Sequence, residues 1–385
     1  MRDTFLPFHK ASIGEQEINE VIDSLKSGWI TTGPKTKRFE EKFSARVGAK
    51  YAVAVNSCTA AMHLALAAIG IQEGDEVIVP VMTFTATAEV VAYFKAVPVF
   101  VDCNPDTLLI DIADLEKKIT PKTRAIMPVH YAGQACDIDE IAAIAKKHGL
   151  KVIWDAAHSF PTVYKGKNVG SFPDIVCFSF YATKTLATGE GGMAVTDNKE
   201  FADKMRILSL HGMNRDAWNR YSKEGSWYYE IVAPGYKYNL TDIASSLGLV
   251  QLERADELLE KRKSIAQRYS EAFKEFRGIS MLAKMPYGES SWHLFVIKLD
   301  LEMLSIGRGQ FIEELKIRNI GSSVHFIPLH LHPYWKEIYS FKESDFPAAA
   351  AVYQQIVSLP IFPDMSENDI TNVIDAVADI IGKNQ

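Results

Sequence analysis

The chain of 385 residues contains few cysteines, and they show none of the patterns in which cysteines usually act together. The four cysteines, Cys58, Cys103, Cys136 and Cys177, are far apart, and no two of them have C-x-x-C spacing. This spacing excludes the disulfide framework of a small secreted protein and a cysteine-based zinc site. We therefore expect a protein of the reducing cytoplasm.

Long apolar runs and an excess of basic charge are also missing. The chain has no stretch of about 18 uncharged apolar residues, and its first residues lack the continuous apolar core of a secretory signal. Asp and Glu number 48 against 42 Lys and Arg, which gives a net charge of −6. Proteins that bind the phosphate backbone of nucleic acids usually carry a basic excess. Neither a membrane nor a nucleic acid is an expected partner.

Two common phosphate-binding motifs are absent. There is no G-x-x-x-x-G-K-[ST], and no G-x-G-x-x-G follows the first apolar run, which argues against an NTPase and a standard dinucleotide site. His325, His330 and His332 lie close together, but Pro328 and Pro333 interrupt any helix there. Because no carboxylate completes a recognised zinc pattern, we expect no metal site.

What the sequence does contain is a series of short, β-rich apolar runs separated by helical patterns. Seven such runs lie between residues 51 and 197: YAVAV, EVIVP, VPVFV, RAIMPV, KVIWD, DIVCFSF and GGMAVT. Continuous apolar strands that alternate with helices are typical of a parallel sheet covered on both faces. We predict an α/β fold in which residues 1–245 form a large domain with a mostly parallel seven-stranded sheet between helices. Residues 246–385 are expected to form a smaller α+β domain.

Several individual elements are predicted as well. Ser12 and Glu15 have the spacing of a capping box at the start of a helix, and Gly28 lies where a C-cap glycine belongs. One long helix is expected over residues 242–276, and SSVHFIP, at 322–328, has the composition of a strand.

Chemistry is expected at the carboxyl ends of the strands, where ligands bind in open parallel sheets. Asp155 ends KVIWD, Lys184 follows DIVCFSF, Ser57-Cys58-Thr59 follow YAVAV, and Phe84 follows EVIVP. Each has an ordinary alternative: Asp155 as a helix N-cap, Lys184 as a solvated charge, the hydroxyl residues as caps and Phe84 as core filling. Together they match the needs of pyridoxal phosphate (PLP), namely a Schiff-base lysine, a carboxylate for the pyridinium nitrogen, an anion-binding turn and a flat group over the ring.

The sequence resembles the DegT/DnrJ/StrS-type nucleotide-sugar aminotransferases, which have the PLP-transferase fold type I of aspartate aminotransferase. The motifs that carry the resemblance run nearly end to end: GWITTGP, NSCTAAMHLAL, GDEVIVP with TFTAT, PVHYAGQACDID, DAAHSF, FSFYATKTLATGEGG, GYKYNLTDI and HFIPLH. GWITTGP, VHYAG, APGYKYNLTDI and LPIFPDM look most like the branch that makes UDP-4-amino-4-deoxy-L-arabinose, which implies a role in polysaccharide or lipopolysaccharide biosynthesis.

The resemblance implies an amino transfer from glutamate to a keto carbon of a nucleotide-linked sugar, with C4 of a UDP-4-keto sugar favoured. The alternatives are amination at C3 of a dTDP-keto-hexose, amination of a keto-inositol, and a regulator that has this fold but no turnover. Related dehydratases have histidine in place of the lysine, and Lys184 argues against that outcome.

The resemblance also implies residue roles and a homodimer with shared sites. Catalysis would fall to Lys184, Asp155 and His158. The cofactor would be held by Ser57, Cys58, Thr59, Phe84, Gln134, Asp155, Ser179, Lys184 and, from the neighbouring subunit, Asn239. The sugar would meet Trp29, Ile30, Thr31 and His325.

Two departures from the family pattern stand out. The first phosphate turn, Ser57-Cys58-Thr59, has no glycine, and Lys237-Tyr238-Asn239 replaces Asn-Tyr-Arg. The second departure leaves open whether Lys237 or Asn239 meets the phosphate.

Overall fold

The computed structural model describes residues 3–214 and 228–385. Its strands are β1 Tyr51–Val55, β2 Glu76–Pro80, β3 Val97–Val101, β4 Thr123–Ile126, β5 Lys151–Asp155, β6 Val163–Tyr164, β7 Lys167–Asn168, β8 Ile175–Ser179, β9 Gly192–Thr196, β10 Ile279–Met281, β11 Gly288–Glu289, β12 Phe295–Leu299 and β13 Ile356–Leu359. Its α-helices are α1 Glu15–Ser27, α2 Pro34–Val47, α3 Cys58–Ile69, α4 Ala86–Ala92, α5 Ile112–Lys117, α6 Ile138–His148, α7 Lys199–Ser209, α8 Asp242–Glu253, α9 Ala255–Phe273, α10 Arg308–Ile317, α11 Pro333–Tyr339, α12 Pro347–Tyr353 and α13 Glu367–Asn384.

A seven-stranded sheet forms the centre of the molecule, in the order β1-β9-β8-β5-β4-β2-β3. Every neighbouring pair is parallel except those made by β9, which runs antiparallel to both β1 and β8. All seven apolar runs of the sequence are strands of this sheet, so the predicted α/β fold is confirmed. The strands are almost continuously buried because helices cover the sheet.

The first helix begins two residues later than predicted. Gly14 is the N-cap of α1, and the Glu17 carboxylate accepts a hydrogen bond from the Gly14 N–H at 2.9 Å. The Ser12 hydroxyl instead donates to Asp364 at 2.8 Å. Because its partner is distant in sequence, Ser12 does not form the predicted capping box with Glu15. The C-terminal prediction is confirmed, since Gly28 has a φ of 75° at the C-cap.

Two predictions in the second half are wrong. The long helix breaks at Arg254, where φ is −89° and ψ is 0°, and this residue separates α8 from α9. Residues 322–328 do not form a strand, because only Ser323 pairs there, through an isolated bridge to Ser358. The three-stranded sheet of this half is β10-β12-β13.

Two buried clusters divide the apolar core. The larger surrounds the seven-stranded sheet and includes Leu249 and Leu252 of α8, whereas the smaller lies between β12, β13, α9 and α13 and also holds Leu6. The predicted boundary between residues 245 and 246 falls inside α8. Within the described ranges, no helix has both the length and the apolar character needed to cross a bilayer.

Candidate active site

A cavity of about 520 Å³ lies at the carboxyl ends of β1, β5 and β8. It is the place that the strand topology predicts, because the carboxyl ends of parallel strands meet at one edge of the sheet. Most of the predicted site residues line it: Ser57, Cys58, Thr59, Phe84, Asp155, His158, Ser179, Lys184 and His325.

Asp155 is the last residue of β5, and only 4% of its surface is exposed. One carboxylate oxygen accepts a hydrogen bond from the Ala157 N–H at 3.0 Å, and the other accepts from the Thr87 hydroxyl at 2.8 Å. Burial raises the pKa of Asp155, while these two bonds and the charge of Lys184 act in the opposite direction. No helix starts at residue 156, so Asp155 is not the helix N-cap that sequence alone allowed.

Lys184 lies in the turn after β8, where its backbone N–H donates to the Tyr181 carbonyl at 2.8 Å. Burial lowers the pKa of Lys184 to about 8, against the opposing influence of Cys58 and Asp155. A substantial fraction of an amine with this pKa is neutral near pH 7 to 8, and the neutral form is the nucleophile and the proton acceptor.

Three histidines adjoin Lys184, and each has a lowered pKa. Burial is the largest cause for His158, His293 and His325, and the charge of Lys184 contributes to each. Nδ1 of His158 accepts a hydrogen bond from the Ala132 N–H at 3.3 Å. In the neutral ring the proton is then on Nε2, so His158 is a hydrogen-bond donor through that atom.

The turn at residues 57–59 combines a capped helix with unused backbone donors. Ser57 is the N-cap of α3, and its hydroxyl accepts from the Ala60 N–H at 3.0 Å. The N–H groups of Cys58 and Thr59 lie in the first turn of α3, where no carbonyl group of the helix can accept a hydrogen bond from them. The helix dipole favours an anion beside them. The Cys58 thiol is buried, and burial raises its pKa far above the usual range, so only its backbone is suited to hold a phosphate.

A glycine of the neighbouring strand makes room for this turn. A Cβ placed on Gly192 of β9 would lie 2.5 Å from the Ser57 carbonyl oxygen and 2.6 Å from the Cys58 nitrogen. Only glycine lets β9 pass so close to the turn, because these neighbours are backbone atoms that cannot rotate away.

The structure does not bring the remaining predicted residues to this cavity. The Gln134 side chain donates to the Ala283 carbonyl at 3.1 Å and accepts from the Met285 N–H at 3.0 Å, and it lines a different cavity of about 310 Å³. The predicted contact of Gln134 with the cofactor therefore has no geometric support within one subunit.

Asn239 and residues 29–31 do not line the cavity, although Asn239 forms a bridge with Val55 at the end of β1. The Asn239 amide donates to the Thr32 hydroxyl at 2.6 Å, and the Trp29 indole N–H donates to the Thr32 carbonyl at 3.0 Å. Ile30 is 52% exposed, and the Thr31 carbonyl accepts from the Asp242 N–H at 2.9 Å. Lys237 is exposed as well.

Sequence reasoning missed several residues of the site. His293 and Phe326 line the cavity, with the His293 ring 4.4 Å and the Phe326 ring 5.7 Å from that of His158. Nothing in the sequence distinguishes His293 from a core residue, whereas Phe326 belongs to the HFIPLH motif and follows the predicted His325. Thr87, which bonds Asp155, belongs to the TFTAT motif, but the sequence does not indicate where its hydroxyl is directed.

The donor set fits PLP. A lysine with a lowered pKa, a buried carboxylate with unused lone pairs and a helix N-terminus with free N–H groups line one cavity. In residues 3–214 and 228–385, no three His, Cys, Asp or Glu side chains come together in a way that could hold a metal ion.

Comparisons with known proteins agree with this fit. The model of the DegT/DnrJ/EryC1/StrS aminotransferase family matches residues 11–378. The spore coat polysaccharide biosynthesis protein SpsC of Bacillus subtilis is 51% identical over 381 residues, which cover 99% of this chain and 98% of that protein.

Two solved structures have nearly the same fold. Spr1654 from Streptococcus pneumoniae, in its pyridoxamine phosphate (PMP) form, has a TM-score of 0.92 and 38% identity over 98% of this chain and 99% of its own. It has also been solved in its PLP form. PseC of Helicobacter pylori, an aminotransferase involved in the biosynthesis of pseudoaminic acid, has a TM-score of 0.91 and 28% identity over 99% of this chain and 100% of its own.

Proposed function

Because the chain belongs to the DegT/DnrJ/EryC1/StrS aminotransferase family and is a PLP-dependent sugar aminotransferase, we propose that it aminates a nucleotide-linked keto sugar with glutamate as the donor. The favoured position is C4 of a UDP-4-keto sugar. The observation that carries the proposal is that Lys184, Asp155 and the turn at residues 57–59 line one cavity. The similarity to SpsC supports a role in polysaccharide biosynthesis.

Bound PLP supplies an electron sink for the charge that develops at the donor carbon. Lys184 holds the cofactor and, with its pKa of about 8, accepts and returns the transferred proton near neutral pH. Asp155 would pair with the ring nitrogen, and the Nε2–H of His158 would donate a hydrogen bond to the ring hydroxyl oxygen. Phe84, which lines the cavity and is 59% exposed, would stack on the ring. The N–H groups of Cys58 and Thr59, with the Ser57 and Ser179 hydroxyls, bind the phosphate.

The working unit that we propose is a homodimer in which Asn239 and residues 29–31 serve the cavity of the neighbouring copy. These residues do not line the cavity of their own subunit and Ile30 is exposed, which favours this arrangement. His325, which lines the cavity, contacts the sugar from the second half of the chain, and the Ser358 hydroxyl lies 2.9 Å from its Nδ1. Analytical ultracentrifugation should give a dimer whose dissociation abolishes activity, and an active monomer would contradict the sharing of sites.

The test is amination of candidate keto sugars with glutamate, with the new C–N bond located by NMR. We expect amination at C4 of a UDP-4-keto sugar and complete loss of turnover in Lys184→Ala. Lys167→Ala, at an exposed lysine, is the matched control and should remain active. Amination at C3 alone, or of a keto-inositol, would refute the C4 assignment. PLP binding without conversion to the pyridoxamine form by any donor would favour a regulator.

A further inference from the structure

Three buried groups, Thr83, Thr87 and Asp155, form a hydrogen-bonded chain beside the candidate active site. The Thr87 hydroxyl donates to one Asp155 oxygen at 2.8 Å, and the Thr83 hydroxyl lies 2.8 Å from that of Thr87. Thr83 is 1% exposed and Thr87 is fully buried. Thr83 lines the cavity, whereas Thr87 is not among the lining residues and lies in the first turn of α4.

The direction of the two hydrogen bonds follows from the charge of Asp155. An ionised carboxylate only accepts, so the Thr87 proton must go to Asp155. The Thr87 oxygen is then free to accept, and the proton between the threonines comes from Thr83. If Asp155 were protonated, the same chain could run in the opposite direction. Donation from Thr83 to Thr87 and from Thr87 to Asp155 is therefore the direction that the ionised carboxylate requires.

From this geometry we propose that Thr87, supported by Thr83, is a positioning residue that holds Asp155 ionised and aimed at the ring nitrogen of PLP. The inference rests on the proposed pairing of Asp155 with that nitrogen. Thr87 does not reach the cavity, so it acts only through Asp155. Its bond and that of the Ala157 N–H use one lone pair on each carboxylate oxygen and restrict rotation of the group.

The need for such support comes from the burial of Asp155. Burial is the largest influence on this carboxyl group and raises its pKa, and the Thr87 bond is one of three opposing influences. Without Thr87, the neutral carboxylic acid becomes easier to form. A neutral carboxylic acid does not attract a protonated ring nitrogen as a carboxylate does.

A binding cycle separates this role from ordinary packing. The apoprotein and its Thr87→Val and Thr87→Ser variants are titrated with PMP and with the PMP analogue that has C–H in place of the ring nitrogen. Valine keeps the shape of threonine and removes the hydroxyl, whereas serine keeps the hydroxyl. We expect the wild type to prefer PMP, Thr87→Val to lose about tenfold or more of that preference, and Thr87→Ser to keep it, since a hydrogen bond to a charged group is worth roughly this factor.

Each other outcome overturns the inference. Equal weakening of both ligands in Thr87→Val would mean a packing role, and an unchanged preference would mean that Asp155 does not depend on Thr87. Absence of any preference in the wild type would instead contradict the pairing of Asp155 with the ring nitrogen, on which the inference rests. Should Thr87→Val not fold, Thr83→Val serves as the second variant and is expected to lose a smaller part of the preference.

Discussion

Replacing Gly192 with alanine should weaken binding of PMP about 100-fold without unfolding the protein. The added Cβ would lie 2.6 Å from the Cys58 nitrogen, whereas carbon in normal contact needs about 3.5 Å, so the turn must move by about 0.9 Å. Strand β9 cannot move away easily because it is paired with β1 on one side and β8 on the other. Gly192 does not have a positive φ, so the effect of the substitution is steric.

A displacement of this size lengthens a hydrogen bond of about 2.9 Å to nearly 3.8 Å, which breaks it. Loss of one or more hydrogen bonds to a charged phosphate accounts for the expected weakening of about 100-fold in PMP affinity. A misplacement of about 1 Å in an active site changes rates by a similar factor. PMP affinity is measured by calorimetry on the apoprotein, with thermal unfolding as the check on the fold. Gly382→Ala, at an exposed helical glycine with open space around it, is the matched control. Wild-type affinity in a folded Gly192→Ala would refute the assignment of the phosphate to this turn.

Three further predictions follow from pKa shifts and contacts. The rate at which the apoprotein takes up PLP should rise with pH to about 8 and then level off, because the neutral form of Lys184 reacts; a rise continuing towards 10.5 would contradict its lowered pKa. Burial lowers the pKa of His130 to about 3, so between pH 6.5 and about pH 3 only the unfolded chain binds a proton at this residue. The free energy of unfolding should therefore fall by about 2 kcal/mol from His130 between pH 7 and pH 5. In denaturant titrations, His130→Asn should remove this part of the pH dependence, whereas the control His148→Asn, at an exposed histidine, should keep it. If the free energy of unfolding of His130→Asn changed with pH as in the wild type, the prediction would be wrong. Gln134→Ala should lower the free energy of unfolding by about 1 kcal/mol, because it removes the bonds to residues 283 and 285, and leave PMP affinity unchanged; weaker PMP binding would restore a cofactor role for Gln134.

The central sheet could be predicted because its strands are buried on both faces and are therefore apolar throughout. The same reasoning located Asp155 and Lys184, since the residues that follow such strands meet at one edge. Local chemistry was less informative where a distant partner decides the outcome. Ser12 has the spacing of a cap, but its hydroxyl bonds Asp364, which is 352 residues away in sequence.

Residues whose role depends on tertiary contacts could not be located in the same way. Gln134 follows a strand, as site residues do, yet its amide is engaged by backbone groups of the second half of the chain. His293 lines the cavity from a segment more than 100 residues beyond Lys184, and no sequence pattern marks it. None of residues 57–59 has a positive φ, so this turn needs no glycine of its own, and the glycine that makes room for it lies on β9.

The most direct test of the account is to identify the lysine that binds PLP. The PLP-loaded protein is reduced with borohydride and digested, and the phosphopyridoxyl group is located by mass spectrometry. We expect a single label on Lys184. In Asp155→Asn we expect no label, because the weakened contact to the ring nitrogen lets PLP leave during a desalting step before reduction. A label on another lysine in the wild type, or none after full reconstitution, would contradict the assignment of Lys184 as the lysine that binds PLP.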